Sequence, residues 1–280
     1  MSNILTNAAL CTFGLQSVGF VAASILKTET FYDVLGGCNF LLLALIGYSF
    51  GSTRLTYMTA LFVVSRSWLL VFLAWRAHSR KGDSRFDEVI GKPLLFFVYW
   101  MVQACWVYLI SLPLLLVQID SNGALSTMDW ILMGGFAFGI LLEISSDIQK
   151  TMWVNQGRLG GFCRTGWWQY SRHPNYAGEI CQWCCAAGLC SSWVGIASPL
   201  FTMTILLTLK GTGIWNAEGK NLKRYYESAY AKEYIQYRKS TSPLIPMIGY
   251  GPIPLALKRW CLFEWERYEY KLANSETKNK

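Results

Sequence analysis

The sequence predicts an all-α integral membrane protein: a polytopic bundle of about seven transmembrane helices followed by a cytoplasmic, amphipathic C-terminal segment. Three observations carry that expectation. First, the 280 residues are 53% hydrophobic and only 15% charged, with a mean hydropathy of +0.27. An average soluble domain holds about 25% charged residues, so a single water-soluble core could not hide this surplus of apolar surface. Second, the apolar residues gather into stretches close to the ~20 residues that cross roughly 30 Å of hydrocarbon. Third, the lysines and arginines fall almost entirely on one side of those stretches.

The stretches lie near 4–26, 34–50, 55–77, 93–117, 127–148, 176–191 and 193–213. The N-terminus, Met1-Ser2-Asn3, lacks the basic region of a cleaved signal peptide, so the first stretch reads as a retained anchor. The second and sixth are short. Pro113, which has no N–H for the helical ladder, predicts a kink in the fourth. Only Ser191-Ser192 separates the sixth from the seventh, as a tight hairpin or one bent re-entrant element.

Lys27 follows the first stretch, Arg80, Lys81, Arg85 and Lys92 follow the third, and Lys150, Arg158, Arg164 and Arg172 follow the fifth. Thirteen more run from Lys210 to the end, against Arg54 alone on the opposite side, with Arg66 and Arg76 inside the third stretch. This asymmetry places the N-terminus outside and both the 149–175 loop and the tail in the cytoplasm. The net charge of +8 is therefore a topological signal. With no zinc finger or basic recognition helix beside it, nucleic acid is not expected as a partner. Nine cysteines lie mostly within apolar stretches, where they act as small hydrophobes; this includes the Cys181-Gln-Trp-Cys184-Cys185 run. His78 and His173 are the only histidines, so no multi-histidine metal centre is expected.

Chemistry concentrates in Gly166-Trp-Trp-Gln-Tyr-Ser-Arg-His-Pro-Asn-Tyr-Ala-Gly-Glu179. His173-Pro174-Asn175 reads as a helix start, since proline is tolerated in a first turn. Asn175 and Glu179 then share one face at i, i+4, and the exposed N–H groups beside Arg172 and His173 favour an anion. Glu143 and Asp147 form a second i, i+4 pair at the end of the fifth stretch, where an acid in the membrane implies a polar cavity. After the seventh stretch, Trp215 through Lys239 reads as an amphipathic helix on the membrane surface, either in contact with lipid or acting as a lid over the 149–179 segment. Residues from Lys258 onward read as a peripheral helix with a frayed end.

The run Tyr170–Glu179 resembles the signature of steroid 5-alpha-reductase-like membrane proteins and of the related sterol C14 reductases. Gly82–Leu116, Ser146-Asp147 and Tyr237–Pro246 fit the same family in the same order, so the resemblance covers roughly 55–250. It divides the chain into N-terminal helices (1–54), a reductase-like membrane domain (55–250) and a charged peripheral tail (251–280). What it implies is a multi-pass reductase of the endoplasmic reticulum membrane. Such an enzyme transfers a hydride from NADPH to a polarised C=C bond of a lipophilic steroid, sterol or other lipid enone.

By motif, the resemblance carries cofactor contact to Asp147, Trp168, Arg172, His173, Asn175, Tyr176 and Glu179, and in the tail to Glu218, Tyr234, Tyr237 and Arg238. The tail departs from the family pattern in having Asn216-Ala217-Glu218 where an arginine or histidine is common, which leaves the partner of the 2′-phosphate open. For the proton donor the sequence offers Tyr57, Arg66, Tyr99, Gln103, Tyr108 and Glu143 without ranking them. Two other readings stand beside this one. Membrane methyltransferases that use S-adenosylmethionine on a lipid or isoprenylcysteine share an Arg-His-Pro-x-Tyr-x-Gly run, though Asn175 and Glu179 favour the reductase pattern. A non-catalytic sterol- or lipid-binding protein could keep the same fold.

Overall fold

The computed structural model of the protein describes residues 2–48, 52–80, 86, 89–119, 124–190, 192–209 and 213–268. Ser191 of the short turn, residues 82–85 and 87–88 of the family-like run, and the charged end from 269 onward lie outside the described residues. Among those described, regular structure is helical apart from one isolated parallel bridge between Ser171 and Ser242.

Long helices form where the apolar stretches predict them: α1 Ser2–Leu26, α2 Tyr32–Gly47, α3 Thr53–Arg80, α4 Pro93–Ile119 and α5 Thr127–Asn155. Pro93 opens α4, where its missing N–H costs nothing, and the helix continues through Pro113. α5 runs about two turns beyond its predicted end. Nothing in Gln149–Asn155 breaks a helix, and the chain reverses only at Gly157 and Arg158, with φ of +75° and +60°.

α6 spans Pro174–Leu189. The seventh stretch is broken rather than continuous: a 3-10 turn at Trp193–Ile196, then α7 Ala197–Met203, then a π-helical turn at Thr204–Thr208. The Thr208 hydroxyl donates to the Thr204 carbonyl at 2.7 Å, the kind of side-chain bond that competes with the backbone ladder and loosens a helix. α8 Gly213–Tyr226, α9 Ala231–Ser240 and α10 Leu255–Cys261 complete the chain. The single amphipathic helix expected in the tail is thus two. At the break, the Ser228 hydroxyl donates to Tyr225 O and accepts from the Tyr230 N–H, closing a local turn in place of the next helical bonds.

Five helical stretches among the described residues are long and apolar enough to cross a bilayer: Asn3–Leu26, Thr53–Trp75, Pro93–Gln118, Thr127–Asn155 and Trp193–Glu218. Tyr32–Ile46 is a shorter apolar helix. α6, with sixteen residues and Glu179 inside it, falls below that length.

The chain packs as two units. The first comprises Met1–Ala137 and Gln182–Phe201, with α1 to α4 packed on one another. Its core holds Tyr32, Phe86, Phe96 and Trp100 edge-to-face. A chain of amides crosses three of its helices: Gln103 donates to Gln16 and to the Tyr32 carbonyl, both at 2.9 Å, and Gln16 donates to Asn39 at 3.2 Å. Arg66 is fully buried, its guanidinium 4.6 Å from the Trp183 ring and 5.4 Å from Phe40. The second unit comprises Phe138–Cys181 and Thr202–Lys280.

Candidate functional site

The residues singled out between Glu143 and Arg238 all fall in the second unit, and three tethers assemble them. The first joins α5 to α6. A Cβ at Gly178 would stand 2.6 Å from the Gly139 carbonyl oxygen and 2.8 Å from the Glu143 nitrogen, so only glycine lets the two helices approach this closely. That approach sets the Glu143–Asp147 stripe of α5 against the Asn175–Glu179 stripe of α6. Asn175 Nδ2 donates to Asp147 Oδ1 at 3.1 Å. Glu143 and Asp147 are buried, while Glu179 is half-buried one turn beyond Asn175.

The second tether straps the segment before α6 to the stretch after α9. The Arg172 N–H donates to Ser242 O at 2.8 Å, the Ser171 hydroxyl to Leu244 O at 2.6 Å, and the Met247 N–H to Tyr170 O at 3.2 Å. His173 Nδ1 lies 3.1 Å from the Pro243 carbonyl, which can only accept, so Nδ1 carries the proton and Nε2 the lone pair. Burial and the adjacent Arg172 pull the His173 pKa down to about 3, with Lys150 and Arg238 acting in the same direction. The ring is therefore neutral at pH 7. It stacks on Tyr176, with centroids 5.3 Å apart and planes 7° from parallel.

The third tether is a buried ion cluster. Arg172 donates through Nη1 to Glu218 at 3.2 Å and through Nη2 to both oxygens of Glu264, at 2.7 and 2.5 Å. Arg238 Nη2 stands 3.1 Å from Glu218 and 3.7 Å from Glu264. The Tyr250 hydroxyl donates to Glu264 at 2.5 Å. Burial opposes the charge on Arg172, but Glu218 and Glu264 outweigh it and raise its pKa above the ordinary arginine value. Two guanidinium groups thus face two carboxylates in a site that admits little water.

Around these tethers lie aromatic side chains. Phe162, Tyr225 and Tyr234 form a cluster with Tyr226 and Tyr237 against it, so most of the tail tyrosines pack on protein rather than on lipid. Tyr237 donates its hydroxyl to Trp168 O at 2.5 Å, and burial holds both Tyr237 and Tyr234 protonated. Trp168 donates its indole N–H to Ser146 O at 2.9 Å and packs with Trp153 and Cys163.

The structure therefore brings together Asp147, Trp168, Arg172, His173, Asn175, Tyr176, Glu179, Glu218, Tyr234, Tyr237 and Arg238, with Glu143 beside them, in one unit. The tyrosines weighed as proton donors belong to the other unit. Tyr57 is 44% exposed with its ring against Trp130. Tyr99 packs on Phe86, and its carbonyl accepts from Tyr32. Tyr108 donates to Leu5 O at 3.4 Å.

Glu264, Tyr250, Tyr268 and Lys150 were not marked by the sequence. One signal was present for the first three: the charged tail also carries Trp260, Phe263, Trp265 and Tyr268, more aromatic surface than a solvated tail needs. Phe263, Trp265 and Tyr268 pack with Leu207, Ile214 and Leu244, on the cluster that Tyr176 also joins.

The DUF1295 family, described as a protein of unknown function, matches residues 19–241. The chain is also similar to Steroid 5-alpha-reductase DET2 of Arabidopsis thaliana, 28% identical over 112 residues, which is 39% of this chain and 39% of that protein. No solved structure matches. The likeness to steroid 5-alpha-reductases expected from Tyr170–Glu179 is therefore borne out at the level of the family. With a match over residues 19–241, which takes in the Asp147–Asn175 pair, Arg172, Glu218 and Arg238, the chain belongs to the DUF1295 family.

Proposed function

We propose that the protein is a membrane reductase that transfers a hydride from NADPH to a polarised C=C bond of a lipophilic enone. The observation that carries this reading is the state of Asn175. Its amide nitrogen donates to Asp147, which orients the side chain, while its Oδ1 is buried with no donor among the described residues. A buried acceptor without a partner is costly, and the carboxamide N–H of a nicotinamide ring is a donor of the right kind. The residues present thus fit such a group. When bound, it would supply the hydride.

The remaining work falls to the chain. Asp147 fixes the Asn175 amide, neutral His173 on Tyr176 offers a flat apolar face, and the Tyr237 hydroxyl fastens α9 to the Trp168 carbonyl. Hydride addition at the β-carbon of an enone would move the C=C electron pair onto the carbonyl oxygen, and a proton delivered to the α-carbon would complete the saturated ketone, the two electrons coming from the reduced nucleotide. Glu143, one turn before Asp147 on α5, is the proton donor we assign, being the candidate that shares the unit of Asn175. The positive-inside bias supports a cytoplasmic site, within reach of soluble nucleotide, and the family likeness supports the endoplasmic reticulum membrane.

The test uses the full chain in nanodiscs with NADPH deuterated at nicotinamide C4 and a steroidal enone. Deuterium at the β-carbon of the product, one per NADPH oxidised, is the expected result. Methyl transfer from S-adenosylmethionine to a lipid acceptor with no enone reduction would overturn the reading in favour of a methyltransferase.

A further inference from the structure

Two cations at the centre of the site already have anions. Arg172 and Arg238 face Glu218 and Glu264, His173 is neutral, and the cluster sums to zero charge. A phosphate arriving there would have to displace a buried carboxylate, against the cost of leaving that carboxylate uncompensated.

Lys150 is different. Its ammonium lies 4.2 Å from the Trp168 ring centroid and 4.9 Å from that of Trp153, and no carboxylate among the described residues pairs with it. Those two indoles pack with Cys163 as one cluster, so the side chain rests on a fixed aromatic platform. It sits three residues after Asp147 on α5, hence on the face that holds Asn175, and within electrostatic range of His173. The half-buried Lys150 and the buried Asn175 Oδ1, which has no donor among the described residues, are therefore two unmet polar demands on one side of the site.

We infer that Lys150 on its two-indole platform, rather than the Arg172–Arg238 pair, is the group that binds the phosphate monoester of this site's ligand. Under the nucleotide reading, on which this assignment of the ligand rests, that phosphate is the 2′-phosphate, and Lys150 sets the preference for NADPH over NADH. The same chemistry could come from a lipid headgroup, and the test separates the two sources.

The affinities of NADPH and NADH are measured by quenching of tryptophan fluorescence for the full chain and for Lys150→Gln and Lys150→Arg, all in phosphatidylcholine nanodiscs. The thermal midpoint of each variant serves as the folding control. Wild type should favour NADPH; Lys150→Gln should lose about tenfold of NADPH affinity with NADH nearly unchanged, so that the ratio collapses, and Lys150→Arg should restore it. A parallel arm repeats the thermal measurement with phosphatidic acid added. If Lys150→Gln removes stabilisation by phosphatidic acid and leaves the nucleotide ratio intact, the phosphate site stands and its ligand is a lipid. If neither changes, Lys150 binds no phosphate and the inference is overturned. Should wild type bind neither nucleotide, the reductase reading fails by itself and the lipid arm alone decides the role of Lys150.

Discussion

Replacing Glu264 by glutamine tests whether the ion cluster holds the tail segment on the site. Glu264 accepts from Arg172 through both oxygens, at 2.7 and 2.5 Å, and from Tyr250 at 2.5 Å. The side chains of Arg172 and Glu264 are 2% and 12% exposed, so solvent screens the pair little. Glutamine keeps the shape but turns an amide NH2 toward either Arg172 or Tyr250; the hydroxyl of Tyr250 can rotate to accept, whereas the guanidinium cannot. The variant thus loses at least one charge-assisted hydrogen bond and leaves the cluster one positive charge in excess. Breaking a buried pair from one side costs about 3–5 kcal/mol. At about 2–4 °C per kcal/mol, even the lower figure predicts a fall of about 6–12 °C in the thermal midpoint in detergent. The double variant Arg172→Met/Glu264→Met leaves Glu218 with Arg238, 3.1 Å apart, as a balanced pair. It should therefore be less destabilised than the two single changes summed. A midpoint for Glu264→Gln within about 2 °C of wild type, or strict additivity in the double variant, would refute the cluster as the tether.

Two further expectations follow from the same unit. Gly178→Ala places a methyl 2.6 Å from the Gly139 carbonyl oxygen, and backbone cannot step aside as a side chain can. The α5–α6 approach must open, at a cost of about 1–3 kcal/mol, and nucleotide affinity should fall with stability; a variant with wild-type midpoint and affinity would show that the approach does not build the site. For His173, the native pKa of about 3 lies below the ordinary value of 6.5, so the unfolded chain binds a proton first as the pH drops. Stability is then full above about pH 6.5 and is lost between there and about pH 3, about 2 kcal/mol of it by pH 5. Thermal midpoints from pH 7.5 to 5 should decline for wild type and flatten for His173→Gln, and parallel declines would exclude the histidine as the source.

Much of the fold was legible because membrane helices announce themselves by length and composition. α1, α3, α4 and α5 stand where apolar stretches of spanning length stand, and α6 begins at the Pro174 read as a first-turn proline. The two acid-bearing stripes were legible too, since i, i+4 spacing alone puts Glu143 with Asp147 and Asn175 with Glu179. What joins them was not. Gly178 looks like any glycine until the opposing backbone is known. Nor does local pattern say that Glu264, 92 residues from Arg172, closes the cluster, because ion pairs across such separations leave no periodic trace. The breaks at Thr204–Thr208 and after Tyr226 come from hydroxyls bonding to nearby backbone, a competition that hydropathy does not register. Lys150 counted only toward topology for a similar reason: its distinction is that no carboxylate among the described residues pairs with it.

The central claim, a reduced nicotinamide nucleotide held by the Asp147–Asn175 pair, is tested most directly by thermal unfolding of the purified chain with NADPH, NADH or S-adenosylmethionine, in wild type and in Asn175→Leu. A ligand at about 100 times its Kd stabilises the native state by about 2.7 kcal/mol, enough to read as a shift of several degrees. The account predicts a shift with NADPH that shrinks in Asn175→Leu as affinity falls by about tenfold, and no shift with S-adenosylmethionine. A shift with S-adenosylmethionine alone, or an NADPH shift indifferent to Asn175, would contradict it.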